Sequence, residues 1–150
     1  PGRSLVANSG LTIYKIGAKK VIPGVRTYLS VDGGMSDNPR PITYQSLYTA
    51  CLANRPLAEA DEKITIAGKH CESGDIVLKD ILLPSPMSED LLVVFSTGAY
   101  NSSMSSNYNR IPRPAGVIVK DGQADLVLRR ERPEDLLQYD VIPDRFIELN

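Results

Sequence analysis

Apolar and polar side chains alternate with a period of two along much of the chain, in short segments cut by Gly, Pro and Asn. Leu11–Ile16 (LTIYKI) alternates, and Val25–Val31 (VRTYLSV) does so until Asp32-Gly33-Gly34 stops it. Lys63–Ala67 (KITIA) and Asp75–Leu83 (DIVLKDILL) are a third and a fourth run. Successive side chains of a strand point to opposite faces, so this period predicts strands. Leu91–Phe95 (LLVVF) is continuously apolar, as in a strand covered on both faces. Val117–Val119 and Ala124–Arg129 flank Asp121-Gly122, a dipeptide that suits a tight hairpin turn.

Helical signals are fewer. Ile42–Asn54 carries apolar residues on one helical face after the breaker Pro39-Arg40-Pro41. Arg132–Tyr139 (RPEDLLQY) places Pro at a first turn with acids behind it, as a helix dipole favours. Gly98–Asn107 reads as a short helix or a turn. The predicted fold is mainly β, a barrel or sandwich with one or two short helices. Spacing alone does not choose between barrel and sandwich.

Composition narrows the classes of function. The 150 residues carry 17 Lys+Arg against 18 Asp+Glu, a net charge of −1. That balance argues against nucleic-acid binding, which needs a basic excess. No apolar run reaches the ~18–20 residues of a membrane span. Two Cys and one His, scattered, form neither a disulfide framework nor a metal site. The chain starts at Pro1 with no Met and no leader pattern, as a cut inside a longer protein would leave it.

Four polar clusters are candidates for chemistry. Gly68–Asp75 (GKHCESGD) lies between two predicted strands and is therefore a loop, where functional groups collect. Cys71 and Glu72 there offer a thiol and a carboxylate at one point. A thiol titrates near about 8.5, so it can donate a proton at neutral pH. The plainer alternative is a turn with a buried Cys. His70 reads as structural, and Lys69 and Asp75 as loop-surface charges. Cys51, in the apolar stretch LYTACLA, reads as a small hydrophobe.

Arg40 and Tyr44 stand four residues apart, one helical turn, and together suit a carboxylate or phosphate. The alternative is a surface Arg beside a half-buried Tyr. Thr97–Tyr100 with Ser106–Asn109 is rich in backbone donors and phenols, which suit an anion or a plain turn. Pro1-Gly2-Arg3 completes the set.

Four segments, in their order, carry a resemblance: PGRSLVAN at 1–8, VDGGMSDNPRP at 31–41, AGKHCESGD at 67–75 and STGAYNSSMSSNYNRIPRP at 96–114. Together they resemble the diaminopimelate decarboxylase family, pyridoxal-phosphate enzymes of the alanine-racemase-like, fold-type III group. The resemblance implies a C-terminal β-domain of a two-domain protein. An N-terminal (β/α)8 barrel, with the Schiff-base Lys and the phosphate loop, would lie upstream of Pro1. It implies that Gly2 and Arg3 approach the phosphate of pyridoxal 5'-phosphate, and that Tyr100 reaches both cofactor and substrate. Arg3, Arg40 and Tyr44 would hold substrate carboxylates, Cys71 would donate a proton, and Glu72 would bind the distal ammonium. The implied substrate is meso-diaminopimelate, converted to L-lysine and carbon dioxide in the cytoplasm by a homodimer whose Cys71 and Glu72 serve the partner's site. Competing readings are a relative acting on ornithine, arginine or carboxynorspermidine, and a stand-alone β-barrel binding module.

Overall fold

In the computed structural model, which describes residues 1–147, eight strands and a few short helical turns form two compact units. The first unit, Pro1–Asn109, is built on a six-stranded sheet. Its strands are β1 (Leu11–Ile22), β2 (Arg26–Val31), β3 (Ala50–Leu52), β4 (Glu62–Ala67), β5 (Ile76–Leu83) and β6 (Leu91–Phe95). Their spatial order is β3-β6-β1-β2-β4-β5. All neighbours run antiparallel except β2 and β4.

The long strand β1 organises the barrel-like curvature. Its first half pairs with β6, from Leu11↔Phe95 to Lys15↔Leu91. Its second half pairs with β2, from Ile16↔Val31 to Ile22↔Arg26. The register shifts between Ile16 and Lys19, and such a bulge bends a strand and increases its twist. One strand therefore serves both halves of the sheet. Ile16, Leu29, Ile64, Ile66, Leu92 and Val94 meet in the enclosed core, each almost fully buried. Ile64 and Ile66 on β4, and Leu92 and Val94 on β6, sit two apart, as side chains on one face of a strand do.

The alternation predicts strands, and the fold decides which face turns inward. On β1 the buried side chains are Tyr14 and Ile16, while Leu11 and Ile13 stand exposed on the face that carries Lys15. On β6 the middle residues are buried, but Leu91 and Phe95 at its ends are open.

The predicted helix over Ile42–Asn54 is corrected. Only α2 (Arg40–Tyr44) is helical, and Gln45 then turns left-handed at φ 53°. The chain continues extended and pairs as β3 with β6, placing Cys51 opposite Val93. Unpaired backbone groups on the edge of β6 outcompete a helix whose side-chain pattern is weak. Cys51 thus lies half-buried in a strand rather than in a helix. Two other short helices flank the sheet: α1 (Gly2–Val6) and α3 (Asn101–Met104), the latter inside the predicted 98–107 segment.

The second unit begins at Arg110. Strands β7 (Gly116–Lys120) and β8 (Gln123–Leu128) form a hairpin. Asp121 and Gly122 turn it with φ of 51° and 76°, as the Asp-Gly pair predicts. The helix predicted over Arg132–Tyr139 is a shorter 3-10 turn, Pro133–Leu137. Asp135 accepts the Arg132 N–H at its start and pairs with Arg129 through both oxygens at 2.6 and 2.9 Å.

Candidate active site

Arg40 is the central charge of the first unit's polar face. It begins α2, directly after Pro39, and is only 7% exposed. Its guanidinium carbon lies 5.3 Å from the ring centroid of Tyr44 and 5.3 Å from that of Tyr100. Ser46 shares a hydrogen bond with it at 3.3 Å. No carboxylate pairs with Arg40 among the described residues. Aromatic faces stabilise a cation modestly and leave its N–H donors free.

Tyr100 reaches this position by an uncommon backbone. It sits before α3 at φ 71° and ψ −27°. A bulky side chain rarely adopts positive φ, and such outliers gather where a side chain must be aimed. The turn is held by Met104 N–H and Ser103 Oγ–H, both donating to the Tyr100 carbonyl, at 2.8 and 3.1 Å.

A cavity of about 760 Å³ brings these groups together with the start of the chain. Gly2, Arg3, Arg40, Tyr44 and Tyr100 all line it. A smaller adjoining cavity of about 330 Å³ shares Arg3 and Arg40. Five of the seven predicted site residues therefore converge from three distant segments. Two guanidiniums and two phenols line the larger cavity with no acidic group among the described residues, a donor set suited to an anion such as a phosphate or carboxylate. That donor set fits the phosphate and carboxylate groups of a pyridoxal-phosphate enzyme. Among the described residues no lysine lines the cavity.

The other two predicted residues, Cys71 and Glu72, lie on a separate loop and line neither cavity. Cys71 is exposed, and its N–H donates to Asn109 Oδ1 at 2.8 Å. Glu72 Oε1 accepts the Gly74 N–H at 3.1 Å, and Tyr108 Oη lies 3.5 Å from Glu72 Oε2. Gly74 packs against Ile42 of α2 so closely that a Cβ there would crowd the Ile42 side chain.

Asp75 departs from its reading as a loop-surface charge. It is only 3% exposed. Its carboxylate accepts the N–H groups of Met35 at 2.7 Å and His70 at 2.9 Å, and faces His70 Nδ1 at 2.7 Å. Three donors compensate the desolvation that burial imposes on a carboxylate. Two of these donors belong to His70 in the same loop, but the Met35 N–H and the Gly34 backbone that enclose this Asp come from far along the chain, so its burial is not visible locally. Lys69 N–H binds the Gly33 carbonyl at 2.9 Å and ties the two loops together. The structural reading of His70 agrees with its full side-chain burial.

Under the same loop, Tyr14 and Asp37 flank Gly33. Burial raises the Tyr14 phenol well above its usual range, and nearby Asp37, Asp75 and Asp32 push it the same way. Burial also raises the Asp37 carboxyl, against the Gly34 N–H that it accepts at 3.0 Å. Among the described residues no group of three or more His, Cys, Asp or Glu is placed to hold a metal ion, and no helix is long and apolar enough to cross a membrane.

Fold and site together define a sheet domain that carries a cationic, phenol-lined corner and a thiol-bearing loop. The profile of the pyridoxal-dependent decarboxylases' C-terminal sheet domain matches residues 5–98. The chain belongs to that family. It is 59% identical over 147 residues to a diaminopimelate decarboxylase of Synechocystis sp., covering 98% of this chain and 31% of that relative. It is 55% identical over 141 residues to the diaminopimelate decarboxylase of Bacillus subtilis, covering 94% and 32%. The crystal structure of diaminopimelate decarboxylase from M. jannaschii in complex with L-lysine superposes with a TM-score of 0.90 at 34% identity, over 97% of this chain and 33% of that one. The chain thus spans about a third of the length of the relatives it matches.

Proposed function

We propose that this chain is the C-terminal domain of a two-domain, pyridoxal-phosphate-dependent decarboxylase that converts meso-2,6-diaminopimelate to L-lysine and carbon dioxide in the cytoplasm. The observation that carries the proposal is the buried Arg40, held between phenol rings with no carboxylate partner and open to a cavity shared with Arg3. Relatives named for this activity, at 59% and 55% identity, support it.

Bound pyridoxal phosphate supplies an electron sink for the bond to the departing carboxylate. This chain's residues do the rest. Gly2, Arg3 and Tyr100 hold the phosphate end. Arg40 and Tyr44, with Arg3, hold substrate carboxylates. Glu72 takes the distal ammonium of a substrate that carries an amino acid at each end. Cys71 then gives its thiol proton to the α-carbon, so the substrate loses carbon dioxide and gains one proton. The resulting thiolate recovers its proton from solvent.

Cys71 and Glu72 lie outside the cavity that holds the other five residues, which supports their serving the corresponding cavity of a second copy in a homodimer. The lysine that anchors the cofactor belongs, in this reading, to an N-terminal barrel. The chain alone is then inactive.

The test is an assay of the full-length protein on meso-diaminopimelate and on ornithine. Ornithine lacks the distal carboxylate and leaves a buried cation unpaired, so its kcat/KM is expected to be lower by roughly a hundredfold or more. Faster turnover of ornithine would overturn the substrate assignment. Cys71→Ala is expected to lower kcat by about a hundredfold or more while cofactor binding is kept. Unchanged turnover would move the proton donor elsewhere.

A further inference from the structure

His70 precedes an exposed cysteine, yet its own side chain is completely buried. A carboxylate can only accept, so Nδ1 carries the proton in its 2.7 Å bond to Asp75 Oδ2. Asp75 is itself clamped. It accepts two backbone N–H groups from different segments, and a Cβ at Gly34 or Gly68 would overlap its carboxylate. The imidazole is thus anchored to a fixed point in the core of the loop.

Its other contact leads back to the surface. The ring stacks on Tyr108, with centroids 6.0 Å apart and planes 24° apart. Tyr108 Oη lies 3.5 Å from Glu72 Oε2, and the next residue, Asn109, accepts the Cys71 N–H at 2.8 Å. Asn109 sits at φ 56°, a left-handed conformation that Asn tolerates better than most residues. The segment that His70 braces therefore touches both members of the Cys71–Glu72 pair.

The remaining nitrogen, Nε2, is buried and has no hydrogen-bond partner among the described residues. A position that served packing alone would be filled at lower cost by an apolar ring. The retained imidazole joins Asp75 on one side to Tyr108 on the other.

Resting on the reading of Cys71 as proton donor and Glu72 as ammonium ligand, we infer that His70 is a positioning residue for that pair. It touches neither substrate nor cofactor. It sets the height and direction of the loop through the relay Asp75–His70–Tyr108, with Tyr108 against Glu72 and Asn109 against Cys71. A carboxylate and a thiol that must meet one substrate at two points need such a relay, because displacement of about 1 Å can cost a hundredfold in rate.

The experiment uses the full-length holoenzyme and two readouts. His70→Ala removes both contacts, His70→Asn keeps a donor for Asp75, and Tyr108→Leu removes the ring face from a partly exposed position that does not endanger folding. Amide hydrogen exchange is followed over residues 69–75 and over the core strands β1 and β4, and kcat and KM are measured on diaminopimelate. His70→Ala and Tyr108→Leu are expected to speed exchange at the Cys71 and Glu72 amides about tenfold with the core strands unchanged. They should lower kcat about tenfold or more at full cofactor content, with His70→Asn recovering part of the loss. Wild-type exchange at Cys71 and Glu72 in Tyr108→Leu would overturn the inference, as would a rate loss matched by faster exchange throughout the core. Cys71→Ala in the same assay separates the two claims. If it leaves turnover intact, the proton-donor reading fails, while the exchange data still decide whether His70 holds the loop.

Discussion

The guanidinium of Arg40 and the ring of Tyr100 face each other at 5.3 Å, one from the start of α2 and the other from a left-handed turn before α3. Neither feature is favourable by itself. A buried cation without a carboxylate is desolvated, and a Tyr at φ 71° is strained. In the proposed reading, their meeting preforms an anion site, and binding of the anion offsets the cost.

Arg40→Met tests that balance. Removing an unpaired buried charge is expected to raise the stability of the ligand-free protein by about 1 kcal/mol. The same change should raise KM for diaminopimelate about tenfold or more, because a carboxylate loses its fork of donors. Thermal unfolding without ligand and steady-state kinetics check the two halves.

Tyr100→Gly should also separate stability from function. Release of the left-handed strain returns about 1–2 kcal/mol, while loss of the cation–aromatic contact costs about 0.5–1 kcal/mol. Urea unfolding should therefore show a protein no less stable than the wild type, with turnover sharply reduced. A clear loss of stability would mean that Tyr100 is a packing residue.

Gly68→Ala probes the clamp around Asp75. The added Cβ would overlap the buried carboxylate, and the donors around it leave no room to move. A loss of about 2–4 kcal/mol is expected in denaturant unfolding. Gly2→Ala is the control, because nothing lies within 4 Å of a Cβ there; its stability should stay within about 0.5 kcal/mol of the wild type.

Asp37 predicts a pH dependence of defined sign. Burial raises its carboxyl in the folded state above the unfolded value of about 3.9. The folded protein then binds this proton more tightly than the unfolded chain. Its contribution to stability is complete below the unfolded value and is lost as pH rises through the folded one. Asp37→Asn keeps an acceptor for the Gly34 N–H without the buried charge. Its Tm should exceed the wild type's at pH 7, with the gap closing toward pH 4. A gap independent of pH would remove the carboxyl's charge as the cause.

Local chemistry made much of the fold readable. The alternating runs became β1, β2, β4 and β5, and Asp121-Gly122 became the β7–β8 turn, because period and turn geometry act within a few residues. Arg40 and Tyr44 share one face of α2, since four residues make one helical turn. The family resemblance named five residues that the fold then gathered around one cavity. Its two further residues, Cys71 and Glu72, stand apart on their own loop.

What the sequence by itself determined is therefore where strands and turns fall and which residue types could do chemistry. Tertiary structure decided the rest. It turned Tyr14 and Ile16 inward and left Leu11 and Ile13 outside, since both faces of β1 carry apolar residues and only packing chooses between them. It drew Ala50–Leu52 from a predicted helix into the sheet, because β6 offered backbone partners. It buried Asp75, read locally as a surface charge, because Met35 and two glycines, Gly34 and Gly68, close around it. Burial of a charge depends on the groups that enclose it: His70 supplies donors from the same loop, but Met35 and Gly34 reach Asp75 only in the completed fold.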